Sequence, residues 1–177
     1  GALEIRETRL GPDHPDVSQA IRGLASLRYN KGEYSKAEPF FQRTLAIKEK
    51  SLGPEHPEVA ASLYNLAILY MYLGDYAKAE PLHLRALASR EKSLDPEHPD
   101  ITASHNNLPS LYNTLEDYAK AEPIYRRVLA IREKTLGPDH FNIATSINNL
   151  ANLYRNLGDL ARAEPLNRRA LAILEKS

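Results

Sequence analysis

Between Pro57 and Leu73 the apolar residues Val59, Leu63, Leu66, Ala67 and Tyr70 follow the i, i+4, i+7, i+8, i+11 spacing of an amphipathic helix with one buried stripe. The pattern predicts a helix A over these residues. His56 stands at the N-cap position. Pro57 follows where a missing N–H is tolerated, and Glu58 lies where a carboxylate meets the positive end of the helix dipole. Gly74 can take the positive φ that ends this helix, and Asp75 suits the N-cap of the next. A helix B is therefore predicted from about Tyr76 to Ser93. Its buried stripe is Tyr76, Ala79, Leu82, Ala86 and Leu87, and the proline-containing segment that follows breaks it.

The same pattern returns every 42 residues. Blocks that begin at Leu10, Leu52, Leu94 and Leu136 give four copies without an insertion: repeat 1 at 10–51, repeat 2 at 52–93, repeat 3 at 94–135 and repeat 4 at 136–177. Each carries Pro and His early (His14, His56, His98, His140) and an Ala-Glu-Pro triplet in its second half, with prolines at 39, 81, 123 and 165. Residues 3–9 match 129–135. Residues 1–9 are thus expected to be the C-terminal end of a preceding helix B, and the chain to be one domain excerpted from a longer array. The triplet proline lies inside helix B, removes one N–H donor there and is expected to bend the helix.

Two copies depart from the pattern. In repeat 3, Pro109 replaces the small Ala of helix A and Glu116 replaces the turn glycine. An interior Pro costs about 3 kcal/mol, and a non-Gly residue at positive φ about 1–2 kcal/mol. A bent helix A or local loosening is expected around 105–116. In repeat 1, Arg22-Gly23 stands where other copies have Asn-Asn or Tyr-Asn, and Arg28 stands in the column of Tyr70, Tyr112 and Tyr154, so its helix A is expected to be the weaker half.

Composition narrows the function. The 23 basic and 23 acidic residues cancel, which removes the global attraction that non-specific binding to nucleic acid or anionic lipid requires. No stretch approaches the roughly 18 consecutive apolar residues of a membrane span, and no signal-peptide pattern opens the chain, so a cytoplasmic location is expected. There is no cysteine, hence no thiolate nucleophile and no sulfur ligand from that residue. The four repeated histidines are displaced by a whole helix layer each, about 10 Å per helix thickness, and cannot share one ion. A role at the inter-repeat turn suits them better; His83 and His105 fall at packing positions. No Gly-x-Ser-x-Gly elbow, Ser-His-Asp set or phosphate-binding glycine loop is present. No enzyme activity, metal or cofactor is expected. The Glu38, Glu80, Glu122, Glu164 and Arg43, Arg85, Arg127, Arg169 columns are read as ion pairs within or between repeats.

Two helices joined by Gly-Asp-Tyr, with Ile147, Leu150, Ala151 and Tyr154 in helix A and Gly158, Leu160, Ala163, Leu166, Ala170 and Leu171 in the turn and helix B, resemble the tetratricopeptide repeat. The eight residues beyond the usual 34, the Leu-Gly-Pro-Asp-His linker and the Asn-Asn-Leu-Ala of helix A resemble its kinesin light chain subclass. The resemblance covers the whole chain and implies an all-α, right-handed superhelical solenoid of antiparallel helix pairs that binds protein or peptide partners along the helix A face.

That face, left over from the packing stripe, holds Gln19, Arg22, Gly23, Ser26, Tyr29 and Asn30 in repeat 1, and Ala61, Tyr64, Asn65, Ile68, Met71 and Tyr72 in repeat 2. Repeat 3 adds Asn106, Asn107, Ser110 and Asn113, and repeat 4 Asn148, Asn149, Asn152, Arg155 and Asn156. Asparagine is a poor helix former, but its amide can pair with a backbone N–H and C=O together, which suits an extended peptide; Tyr29, Tyr64 and Tyr72 suit apolar anchors. In kinesin light chains the matching asparagines clamp the cargo backbone, which by resemblance falls on Asn65, Asn107 and Asn149. Gly23 breaks the match in repeat 1. The asparagines also suit a purely structural role stacked along neighbouring helices. Arg22, Arg28 and Arg155 point to an acidic or C-terminal carboxylate ligand, although Arg28, a packing-column substitution, also fits a side chain that points elsewhere. A second reading is a structural spacer, because the apolar face Leu166–Ile173 of the last helix B invites end-to-end self-association.

Overall fold

The computed structural model describes residues 8–9, 11, 15–95 and 98–176, and among these it is all-α. The helices are α1 (Pro15–Asn30), α2 (Tyr34–Leu52), α3 (Pro57–Leu73), α4 (Tyr76–Ser93), α5 (Pro99–Thr114), α6 (Tyr118–Thr135), α7 (Phe141–Asn156) and α8 (Leu160–Leu174). They alternate as helix A and helix B of the four repeats, so the expected bounds of α3 and α4 are the observed ones. The expected repeat end at 1–9 lies outside the described residues except for Thr8 and Arg9, which are helical; so do His14 and the side chain of Gln19. The chain falls into two compact units, residues 1–93 and 94–177, each holding two repeats. No described helix is long and apolar enough to cross a membrane.

One turn design joins helix A to helix B in every repeat. At Gly74 the φ is 74°. Its N–H reaches the Met71 carbonyl at 3.1 Å, and the Asp75 N–H reaches Tyr70 at 2.9 Å, which is the Schellman pattern of helix closure. Equivalent pairs of bonds close α1 at Gly32 and Glu33, α5 at Glu116 and Asp117, and α7 at Gly158 and Asp159. The next helix then starts on an Asp carboxylate: Asp75 accepts from Lys78 N–H at 3.3 Å and Asp159 from Arg162 N–H at 3.0 Å. The other junction uses histidine. The Nδ1 atoms of His56, His98 and His140 accept the N–H of Glu58, Asp100 and Asn142 at 3.1–3.2 Å, which places these side chains at helix starts.

Within unit 1, α3 packs on α2 and α4; within unit 2, α7 packs on α6 and α8. Val59, Leu63, Leu66, Ala67 and Tyr70 of the expected stripe are all buried, as are Ile143, Ile147, Leu150, Ala151 and Tyr154 of α7. On helix B the burial is led by the small residues Ala79, Ala121 and Ala163, which let the helix backbones approach closely. In repeats 2 and 4 the tyrosine of helix A also carries a polar link to the preceding repeat. Tyr70 donates to Glu38 at 2.9 Å while Gln42 donates to Tyr70, and Tyr154 donates to Glu122 at 2.7 Å while Arg126 donates to Tyr154 at 2.6 Å. The Arg162 guanidinium lies 4.2 Å from the Tyr154 ring centroid and covers it. Tyr154 and Arg126 hold the Glu122 carboxyl below its ordinary range. The Arg column pairs between repeats as well, Arg85 with Glu49 at 2.5 Å and Arg169 with Glu133 at 2.6 Å.

The two irregular repeats show how exceptions are absorbed. α5 runs uninterrupted through Pro109, which is buried where Ala67 and Ala151 sit in the regular copies. α5 packs on α6 less extensively than α3 on α4 or α7 on α8. Glu116 takes the turn glycine's conformation at φ 56°. In repeat 1 two exchanges compensate each other. Glu33 replaces the capping Asp and makes no side-chain cap, and its carboxylate instead accepts from Arg28, the residue that replaces the column tyrosine. Arg28 is therefore an internal partner of Glu33, not a free cation on the helix A face.

Candidate functional site

The helix A face varies from copy to copy, and in repeats 1, 2 and 3 its variation is matched across the helix pair. The residue at 29, 71, 113 and 155 lies twelve positions before that at 41, 83, 125 and 167. In repeat 1 this pair is Tyr29 and Phe41, with ring centroids 6.1 Å apart. In repeat 2 it is Met71 and His83, with the sulfur 3.2 Å from Nε2. In repeat 3 the Asn113 amide donates to the Tyr125 hydroxyl at 3.2 Å. In repeat 4 it is Arg155 and Asn167, both exposed. Each copy thus presents different chemistry at one geometric position.

Unit 1 brings several of the candidate residues together around an open cavity of about 390 Å³ between α1, α2 and α3. Helix α1 contributes Arg22, Ser26, Tyr29 and Asn30; α3 contributes Asn65 and Ile68; α2 adds Phe41, Thr44 and Lys48. Tyr29 stands at an aromatic corner, edge-on to Tyr34 at 5.4 Å and to Tyr72 at 5.7 Å, with Tyr34 and Tyr72 stacked at 4.9 Å. Burial first, then the hydrogen bond with Tyr72, pushes the Tyr29 phenol up to about 12, so it stays neutral. Tyr72 remains 59% exposed, the open side of the corner. Tyr64 is placed differently: half-buried, edge-on to His83 at 5.5 Å and covered by the Arg90 guanidinium at 4.4 Å.

In unit 2, Asn106, Asn152 and Arg155 are exposed, and Asn107, Asn148 and Asn149 are half-buried. Asn113 is turned toward Tyr125, and its Oδ1 is buried with no partner among the described residues. His83 and His105 are buried core residues. Burial, then the Arg90 charge, depresses the His83 imidazole to about 4, so it is neutral near pH 7. No group of three or more His, Asp or Glu among the described residues is placed to hold a metal.

Five cavity residues escaped the sequence reading: Ala25 and Ser62 on helix A, and Phe41, Thr44 and Lys48 on helix B. The last three lie where the triplet proline and alanine stripe drew the pattern toward packing. The signal that marks them is variation: the column of Phe41 holds His83, Tyr125 and Asn167 in the other copies.

Matches to known proteins follow this geometry. A family model described as tetratricopeptide repeat matches residues 1–50, 19–92, 58–134 and 100–176, overlapping along nearly the whole chain. A crystal structure of the nearly identical TPR-like repeats of a putative kinesin light chain from Podosopora anserina is 29% identical with TM-score 0.86, covering 98% of this chain and 82% of that one. BtubC (BKLC) from P. vanneervenii is 27% identical with TM-score 0.74, over 92% of this chain and 65% of that one. MamA, at 16% identity and TM-score 0.65, shares the fold. A comparison with functionally curated proteins gives no match. The 42-residue period, the His-capped helix A, the Gly-Asp turn and these matches together establish that the chain belongs to the tetratricopeptide-repeat family, with repeats of the kinesin light chain-like kind.

Proposed function

We propose that the array is a non-catalytic scaffold that holds an extended peptide segment of a partner protein along the helix A face. Tetratricopeptide repeats mediate protein–protein interaction in general, and the family is in general non-catalytic. The observation that carries the finer reading is the cavity of unit 1. Arg22, Tyr29 and Asn65, chosen from sequence as ligand-facing, line one space of about 390 Å³, a size suited to a side chain or short segment. Exposed Asn65, Asn106 and Asn152 offer amides to a backbone, and Tyr72 offers an aromatic face. The likeness to a putative kinesin light chain supports the same reading.

The test is selection of a displayed random peptide library on the purified array, followed by anisotropy titration of the recovered peptides. Asn65→Ala and the Asn107→Ala, Asn149→Ala pair are expected to weaken binding at least tenfold with unchanged helicity. Equal affinity for the parent and these variants refutes the groove. Sedimentation in the same buffer reports self-association, and growth of mass that a charge at Leu166 removes speaks for a spacer instead.

A further inference from the structure

The lining of the unit 1 cavity has a one-sided charge. Two cations, Arg22 on α1 and Lys48 on α2, face it, and no carboxylate lines it among the described residues. Lys48 is shared with Glu58 at 3.2 Å. Arg22 forms no ion pair among the described residues and is exposed, so its guanidinium keeps its full donor fork for a ligand. Ser26 lies one helical turn along the same face, and Asn65 reaches in from α3. The hydroxyls of Thr44 and Ser62 are spent on their own helices, bonded to Phe40 and Glu58 carbonyls.

The remaining wall is apolar: Ala25, Ile68 and Phe41. A lone carboxylate or inorganic phosphate fills little of about 390 Å³ and leaves that wall wet. An Asp or Glu side chain is too short to cover it and reach the cation as well. What fits is a flat apolar body that ends in a strongly charged acceptor group. Neutral Tyr29 adds no repelling charge.

Resting on the groove reading above, we infer that this cavity takes a phosphotyrosine side chain of the partner segment, its ring against Ala25, Ile68 and Phe41 and its phosphate on Arg22, Ser26 and Asn65. A phosphate monoester carries about −1.5 to −2 charge at pH 7 with three acceptor oxygens, which a guanidinium meets bidentately and Lys48 reinforces across its Glu58 contact. Binding gated by phosphorylation follows.

The experiment uses the full chain on an array of random extended peptides with one fixed central residue, phosphotyrosine, tyrosine, phosphoserine or glutamate. Retention is expected to be at least tenfold higher on phosphotyrosine and to fall at least tenfold for Arg22→Gln, an exposed substitution whose fold is checked by circular dichroism. Ile68→Ala, which keeps the charge and opens the apolar wall, is expected to reduce the preference for phosphotyrosine over phosphoserine. Equal retention on all four peptide sets overturns the phosphotyrosine assignment and leaves the groove standing. Preference for both phosphorylated residues alike reduces the site to a general anion contact and overturns the assignment too. No retention on any set removes the groove reading along with it.

Discussion

Replacing Glu116 with glycine is expected to stabilise the protein. Glu116 ends α5 at φ 56°, the position filled in the other turns by Gly32, Gly74 and Gly158 at 71–75°. The backbone bonds of the turn are intact, from Glu116 N to Asn113 O at 3.2 Å and from Asp117 N to Tyr112 O at 2.9 Å, so the substitution gains no hydrogen bond. It removes strain alone, about 1–2 kcal/mol for a side chain in the left-handed region. Against this stands the extra freedom of glycine in the unfolded chain, about 0.4–1 kcal/mol. The net gain is about 0.5–1 kcal/mol, or a Tm rise of about 1–4 °C for a chain of this size. Thermal and urea unfolding by circular dichroism measures it, with amide exchange at residues 113–120 locating it. Glu116→Ala is the control, since it removes the carboxylate and keeps the Cβ. If Glu116→Gly leaves Tm unchanged, or if alanine raises it as much, the strain argument is wrong.

The converse substitution, Gly74→Ala, places a Cβ that meets nothing within 4 Å, so its cost is conformational and is expected at about 1–2 kcal/mol in urea unfolding. Tyr154→Phe removes the hydroxyl that joins Glu122 and Arg126 and is expected to cost about 1 kcal/mol, discounted because both partners are partly exposed. The native Glu122 carboxyl lies below its ordinary 4.5. Its contribution is therefore fully present above that value and lost as pH falls through the lowered native one, so Glu122→Gln is expected to flatten the acid limb of a stability profile. His83 is held neutral down to about 4, against 6.5 when free. Unfolding releases a group that binds a proton more readily, so stability is expected to drop as pH falls from 6.5 toward 4, with an NMR titration of the imidazole showing no protonation until about pH 4.

Much of the fold was legible because its determinants are local. The caps His56 and Asp75, the glycine between them and the stripe from Val59 to Tyr70 are all read within one turn of where they act. Arg90 was missed, buried at 4% exposure over the Tyr64 ring, because a helical pattern reads arginine as solvent-facing while its guanidinium can stack on an aromatic face twenty-six positions away. Arg28 stayed divided between a ligand contact and a packing-column substitution because its partner is set by a second exchange, Asp to Glu33, whose meaning appears only when both are seen across the turn. The candidate face was legible as a row of positions, but not the cavity, since Phe41, Thr44 and Lys48 come from the other helix.

The matched pair twelve positions apart sets how this array can change. Tyr29 with Phe41, Met71 with His83 and Asn113 with Tyr125 each touch inside their own helix pair, so moving one member into another copy strands its mate: a tyrosine at 71 meets His83, and a methionine at 113 leaves the Tyr125 hydroxyl without its donor. The smallest transferable letter of the face is thus a couplet drawn from two helices. Recoding one copy calls for two simultaneous substitutions, while duplicating a whole 42-residue copy carries the couplet intact. Growth by duplication is the easier route to a new surface, and single drift at either site is penalised first by its nearest neighbour, before any partner protein is consulted.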